Sequence, residues 1–297
     1  MPATLSKTPY VAYPLTAIIS DLHGNTPALG VALDDARARG VRRFVCLGDV
    51  VGYGAQPRAC LDLVMALCVK GASDPQNGQQ PSSPDDGVVE DGVLEDGVLE
   101  DGLCLLGNHE QALLYNAEDF NPKARAAIDW TREELGRDVE RTEAYWDFIG
   151  DLQPSRSDER AMFAHGSPRD PVREYLLPRD VRNEQKLADN FAHMNRPVCF
   201  VGHSHVPAVY YEDGRLFIPQ GTEGPFGLGD LETNRCIVNV GSVGQPRDGD
   251  NRLSYVIFDG RSITFVRLEY PWRDAAQQIR DVPELPDFLA DRLAVGK

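Results

Sequence analysis

Five times along this chain of 297 residues a short apolar run stops at a histidine, aspartate or asparagine set beside glycine. The motifs read SDLHGN (Ser20 to Asn25), LGDVVG (Leu47 to Gly52), GNHE (Gly107 to Glu110), AHGS (Ala164 to Ser167) and GHSH (Gly202 to His205). Strands four to six residues long with no polar alternation are buried on both faces, as in a parallel sheet. Parallel strands present their carboxyl ends along one edge, so residues far apart in sequence meet there. Five of the six histidines fall in these motifs, which predicts imidazole, carboxylate and carboxamide groups gathered at one place. That mixture suits a pair of metal ions better than any chemistry carried by one motif.

The order of elements supports an α/β fold. Leu15 to Ser20 predicts a strand, Thr26-Pro27 a helix start, and Leu29, Ala32, Leu33 and Ala36 a helical stripe ending near Gly40. Arg42 to Leu47 predicts a second strand and Pro57 to Lys70 a second helix. Further strands are expected at Leu103 to Leu106, Ala161 to Ala164 and Pro197 to Val201, with helix over Pro122 to Gly150 and over Arg179 to His193. Beyond these the pattern turns antiparallel: Ala208 to Tyr211 with Arg215 to Ile218, and Arg252 to Phe258 with Arg261 to Leu268. Each pair flanks an Asp-Gly turn. A helical tail follows from about Trp272. We expect a single domain over residues 1–297.

One stretch breaks the pattern. Residues 71–101 hold a Pro/Ser/Gln-rich segment and then the pentad repeat DDGVV-EDGVL-EDGVL-EDGL, with nine acidic residues and no basic one. Regular glycine and clustered carboxylates oppose both helix and packed strand, and the spacing matches no calcium loop, so a solvated insertion is expected. It carries much of the net charge of -16. That charge argues against nonspecific binding to nucleic acid or to anionic membranes. The six cysteines form no CxxC pair and sit largely in apolar runs, which predicts buried free thiols. No basic start with an apolar core opens the chain, and no run could span a bilayer, so a cytoplasmic location is expected.

A lone Asp or His at a strand end is ordinarily a turn or helix cap. Seven potential ligands at the ends of five apolar runs are too many for that explanation: Asp21, His23, Asp49, Asn108, His165, His203 and His205. The ordered set DxH, GD, GNHE, H and GHxH resembles the calcineurin-like metallophosphoesterases, over roughly Ala17 to Leu268 apart from the insertion. The resemblance implies a four-layer αββα sandwich of two mixed sheets. It also implies two divalent metals, one held by Asp21, His23 and His205, the other by Asn108, His165 and His203, with Asp49 bridging. His109 matches the position that contacts the substrate phosphate and assists the leaving group.

The resemblance implies hydrolysis of a phosphodiester or small phosphomonoester, with attack by metal-bound hydroxide as the economical mechanism. Manganese is the first expectation; iron, zinc, nickel and magnesium also suit an N/O ligand set, although the histidine share favours transition metals. Within the family the chain is most similar to the small bacterial and archaeal phosphodiesterase branch, a likeness shared by NVGSVGQPRDGD at Asn239 to Asp250. Protein phosphatases and diadenosine tetraphosphatases carry an extra aspartate and arginines after GD and GNHE. Here those stretches read GDVVGYG and GNHEQAL. Phosphoprotein phosphatase or dinucleoside polyphosphate hydrolase activity is therefore the second expectation, and a non-catalytic protein-binding scaffold on the same fold the third. Arg169, Arg173 and Arg247 read first as surface or loop-bracing arginines, with phosphate clamping as the second reading. Ser167, Ser204, His193 and the GSVG turn at Gly241 to Gly244 are expected to be structural. The partner expected is a small phosphorylated substrate.

Overall fold

The structure, a computed structural model, describes residues 13–68, 102–117, 120–229 and 234–297. The acidic insertion expected at 71–101 lies outside the described residues. The chain begins as β1 (Thr16–Ile19), α1 (Thr26–Ala38), β2 (Arg43–Cys46) and α2 (Pro57–Cys68), then β3 (Leu103–Cys104) and α3 (Asn108–Leu114). Helices α4 (Pro122–Gly136) and α5 (Thr142–Asp151) precede β4 (Ser155–Ser157) and β5 (Ala161–Ala164). A short 3-10 turn at Pro178–Arg182 leads into α6 (Glu184–Ala192) and β6 (Val198–Val201). The rest is β7 (Ala208–Tyr211), β8 (Leu216–Phe217), β9 (Glu223–Gly227), β10 (Cys236–Asn239), β11 (Leu253–Phe258), β12 (Ser262–Leu268), α7 (Trp272–Arg280) and α8 (Asp287–Asp291).

Two six-stranded mixed sheets result, in the orders β3-β2-β1-β11-β12-β9 and β4-β5-β6-β10-β7-β8. Strands β1, β2 and β3 run parallel in the first sheet, and β5, β6 and β10 in the second. Alternate residues of each strand serve different layers. Ile18, Val45, Val256 and Phe258 of the first sheet meet Phe163, Val198, Phe200 and Val238 of the second in the central core. Their neighbours Ala17, Ile19, Phe44 and Tyr255 turn outward to α1, α2, α4 and α7. On the far side Met162, Cys199, Val201 and Tyr210 pack against Leu187 and Phe191 of α6. This is the αββα sandwich expected, and burial on both faces explains the unbroken apolar runs.

Several elements differ from expectation. The N-cap of α1 is Asn25, whose side chain accepts from the Ala28 N–H at 3.1 Å, while Thr26 Oγ1 is turned to Gln56 Oε1 at 3.0 Å. The helix expected over Pro122 to Gly150 is two helices. Asp138 takes the Arg141 N–H on its side chain at 3.2 Å and the Thr142 hydroxyl on its carbonyl, a local alternative to helical pairing. The helix expected over Arg179 to His193 likewise breaks at Asn183, which caps α6 through the Lys186 N–H at 3.1 Å. Strands β4, β9 and β10 and the seven-residue helix α3 are additions to the expected elements; β4 and β9 have polar or glycine-rich sequences, SRS and EGPFG, that carry no strand pattern. The expected tail is helical from Trp272. Among the described residues no helix is long and apolar enough to cross a membrane.

The central core should carry much of the stability. Phe200 is fully buried, its ring 5.8 Å from Phe163 and 5.1 Å from Phe258. Phe200→Ala is expected to cost about 3–5 kcal/mol in urea unfolding, through lost burial and the cavity left behind. A loss below about 1 kcal/mol would contradict this account of the core.

Candidate metal centre

All seven expected ligands lie just past the carboxyl ends of β1, β2, β3, β5 and β6. Asp21 and His23 follow β1, Asp49 follows β2, Asn108 opens α3 after β3, His165 follows β5, and His203 and His205 follow β6. The first three strands are neighbours in one sheet and the last two in the other, so a single rim collects them. Three groups of side chains could each hold a cation: Asp21, His23 and His205; His23, Asp49 and His109; and Asp49, His165 and His203. Asn108 joins the last group, its Oδ1 3.0 Å from His165 Nε2. Asp49 belongs to two groups, with Oδ2 3.8 Å from His23 Nε2 and 3.4 Å from His165 Nε2. His109 lies equally close to Asp49, at 3.9 Å, so geometry alone does not separate it from the ligands.

The backbone is bent into place at a cost. Among the described residues the non-glycine positions with positive φ are Asp21, His23, Asp49, Tyr53, His203 and His205, at 48° to 64°. Each left-handed residue costs roughly 1–2 kcal/mol, and such strain persists only where neighbours over-determine it. They do so here through hydrogen bonds between loops. The Asp21 N–H donates to Gly48 O at 3.1 Å, His23 N–H to Asp49 O at 2.9 Å, and Gly202 N–H to His165 O at 2.9 Å. Each buried aspartate commits one oxygen to the same task. Asp21 Oδ2 accepts from the His203 N–H at 3.0 Å and Asp49 Oδ1 from the His109 N–H at 2.9 Å. The remaining oxygens face the centre, and Asp21 Oδ1 is buried with no hydrogen-bond partner.

The imidazole tautomers follow from their outer partners. His23 Nδ1 meets Val51 O at 3.1 Å, His205 Nδ1 meets Gln245 O, and His203 Nε2 meets Arg173 O at 3.2 Å. A carbonyl can only accept, so each of these nitrogens carries the proton and the opposite nitrogen offers a lone pair. Burial lowers the pKa of His23 and outweighs Asp49 and Asp21, burial with the Arg247 charge lowers His205, and burial with His165 lowers His203 to about 3, so all three stay neutral. The lone pairs of His23 and His205 then face each other at 3.2 Å. Two bare lone pairs that close repel, and a shared cation removes the repulsion. Carboxylate oxygens and neutral imidazoles aimed inward, each oriented by a carbonyl or N–H behind it, are the donor set of a divalent metal site.

Asp49 and His165 respond to one another. Burial raises the pKa of Asp49, but His165 outweighs it and holds it low. Burial alone would lower His165; the Asp49 carboxylate raises it to about 9. His109 is pushed down to about 4, chiefly by burial.

Other residues of the centre had no signal of their own in the sequence. Glu110 is fully buried and accepts from the backbone N–H groups of Asp49, Val51 and Gly107 at 2.8, 3.1 and 3.1 Å, tying two strand ends together. Gly52 has φ +84°, and a Cβ there would lie 2.0 Å from His109 Nδ1, so only glycine leaves room for that ring. Tyr53 stands 4.6 Å from the His23 ring and 4.5 Å from that of His109, and Tyr175 stacks on His203 at 3.7 Å. With Phe120, Gln111 and Arg173 these tyrosines line a cavity of about 240 Å³ beside Asn108 and His203.

The residues expected to be structural are so. Ser167 Oγ donates to Glu174 at 2.6 Å, Ser204 Oγ accepts from Asn239 at 2.9 Å, and His193 caps α6. In the GSVG turn Val243 and Gly244 donate to the carbonyls of Ser20 and Asp21, so these N–H groups brace the centre and bind no phosphate. Of the three candidate clamps, Arg169 is paired with Glu174 and Asp189 and is a brace. Arg173 lines the cavity, and Arg247 stands beside the Tyr53 ring at 5.5 Å.

A mixed two-sheet sandwich with imidazoles and carboxylates gathered at the strand ends is the architecture of metal-dependent phosphoesterases. The chain belongs to the calcineurin-like phosphoesterase superfamily, whose domain model matches residues 15–262. It is 32% identical, over 95% of its length and 98% of the relative's, to an uncharacterised protein of Methanocaldococcus jannaschii. A metallophosphoesterase crystal structure from Sphaerobacter thermophilus matches with TM-score 0.71 and 34% identity, covering 96% of this chain and 100% of that one. A hypothetical protein from Pyrococcus horikoshii shares the fold at TM-score 0.65 and 16% identity, with 95% and 98% covered.

Metal binding should be readable as stability. Protein stripped with chelator is expected to gain about 2.7 kcal/mol when manganese reaches a hundred times its dissociation constant. The gain should shrink in Asp49→Asn and in His205→Ala. An unfolding midpoint indifferent to divalent metals would refute the centre.

Proposed function

We propose that the chain is a dinuclear metal-dependent phosphoesterase that hydrolyses a phosphodiester or a small phosphomonoester. The observation that carries this reading is the inward oxygen of Asp49, flanked by imidazole nitrogens of two separate groups. Asp21, His23 and His205 would hold one metal, Asn108, His165 and His203 the other, with Asp49 shared. When bound, two divalent cations neutralise the phosphate and acidify a water molecule that can attack it.

The chain's own residues then have definite tasks. Asp49 keeps the two ligand groups close by lending one oxygen to both. His109 is neutral and reaches toward Asp49, and Gly52 sets its ring position. A neutral imidazole there places an N–H against a phosphate oxygen or the departing alkoxide. Tyr53, Tyr175 and Phe120 line the cavity beside the centre and would receive the leaving group. The name of the Sphaerobacter relative, a metallophosphoesterase, supports the metal dependence.

The test is direct. With manganese present the protein should hydrolyse bis(4-nitrophenyl) phosphate, and Asp49→Asn or His165→Ala should abolish turnover in a folded protein. Full activity in both variants would sink the reading. His109→Ala should lower kcat by about a hundredfold while metal content is kept. Gly52→Ala should lose activity in the same way; retention of activity there would detach His109 from the reaction.

A further inference from the structure

The chain is strongly acidic, with 46 Asp and Glu against 30 Lys and Arg, so most arginines find a carboxylate. Two that share the Tyr53 ring as a neighbour have no aspartate or glutamate side chain beside them. Among the described residues neither Arg247 nor Arg292 has an Asp or Glu side chain within ion-pair distance. Arg247 directs Nε and Nη2 to the neutral Gln245 Oε1 at 3.3 and 2.8 Å, and its guanidinium lies 5.5 Å from the Tyr53 ring. Arg292 donates Nε to the terminal carboxyl group of Lys297, and its guanidinium lies 6.0 Å from the same Tyr53 ring and 5.3 Å from Phe288. Tyr53 in turn is in contact with His23 and His109. One ring is thus the common neighbour of both guanidiniums and of the centre's imidazoles.

The position of Arg247 is built. The Gln245 carbonyl receives Nδ1 of His205, the Gln245 side chain receives Arg247, and Ser242 Oγ anchors the Gln245 N–H at 2.8 Å. One residue therefore orients a candidate ligand and the guanidinium beside it. Burial, then the like charge of Arg247, pulls Arg292 down to about 10, a sign of two cations crowded in partly desolvated space. Arg292 also lies beyond the family match, which ends at residue 262.

We propose that Arg247 and Arg292 form an anion clamp that binds the phosphate group of the substrate beside the Tyr53 ring. The clamp rests on the phosphoesterase reading for its role in turnover, but binding of phosphate can be measured without turnover. Planar forks of N–H donors match phosphate oxygens, and an anion would relieve the repulsion between the two cations.

The experiment uses the full chain as purified, with Arg247→Ala, Arg292→Ala, the double variant, and Arg247→Lys as a charge-keeping control. Inorganic phosphate is titrated calorimetrically, and 4-nitrophenyl phosphate and bis(4-nitrophenyl) phosphate are assayed. Each alanine variant should weaken phosphate binding and raise KM by about tenfold or more. Metal content and unfolding midpoint should stay unchanged, the salt dependence of KM should flatten in the double variant, and Arg247→Lys should recover part of the loss. Phosphate affinity and KM equal to wild type in the double variant would overturn the clamp. If wild type hydrolyses neither ester, the phosphoesterase reading fails, and the phosphate titration still decides the clamp.

Discussion

In Asp21 and Asp49 one carboxylate oxygen fastens a neighbouring loop and the other is left facing imidazole nitrogens. Burying a carboxylate is costly unless charge and hydrogen bonds compensate it. Backbone N–H groups compensate half of each aspartate. The inward half has only neutral imidazoles and one protonated His165 to face. Carbonyls behind His23 and His205 turn two lone pairs toward each other at 3.2 Å. Carboxylate oxygens and imidazole lone pairs thus converge on one place, and the rest of the centre is organised to hold them there.

The sandwich makes the arrangement affordable to the backbone. Left-handed conformations at five of the putting-in-place residues, Asp21, His23, Asp49, His203 and His205, would relax in a mobile loop. Here each loop leaves a strand buried on both faces and is tied at once to the next strand end, with Glu110 collecting three N–H groups at the crossing. Strain is stored where the chemistry is, and the central core of Phe163, Phe200 and Phe258 holds it there.

Much of this was legible in the sequence because the ligands follow the strands directly. A four-residue apolar run ended by Asp or His announces both the strand and its use, and all seven expected ligands lie at one rim. Residues that act at a distance left no such trace. Glu110 was visible only as the last letter of GNHE, Gly52 only as a glycine, and Tyr53 only within a stretch noted for what it lacks. Arg292 comes from the C-terminal tail, where nothing in the local pattern points to the centre. The helix breaks at Asp138 and Asn183 were missed because apolar periodicity continues across them while the side chains take over the backbone hydrogen bonds.

In the proposed function Asp49 is shared between two cations. A crystal of the manganese-loaded protein, measured at the manganese absorption edge, tests it most directly. The account predicts two anomalous peaks about 3.5–4 Å apart, one beside Asp21, His23 and His205, the other beside Asn108, His165 and His203, with an Asp49 oxygen between them. A single peak away from Asp49, or none at saturating manganese, would contradict it.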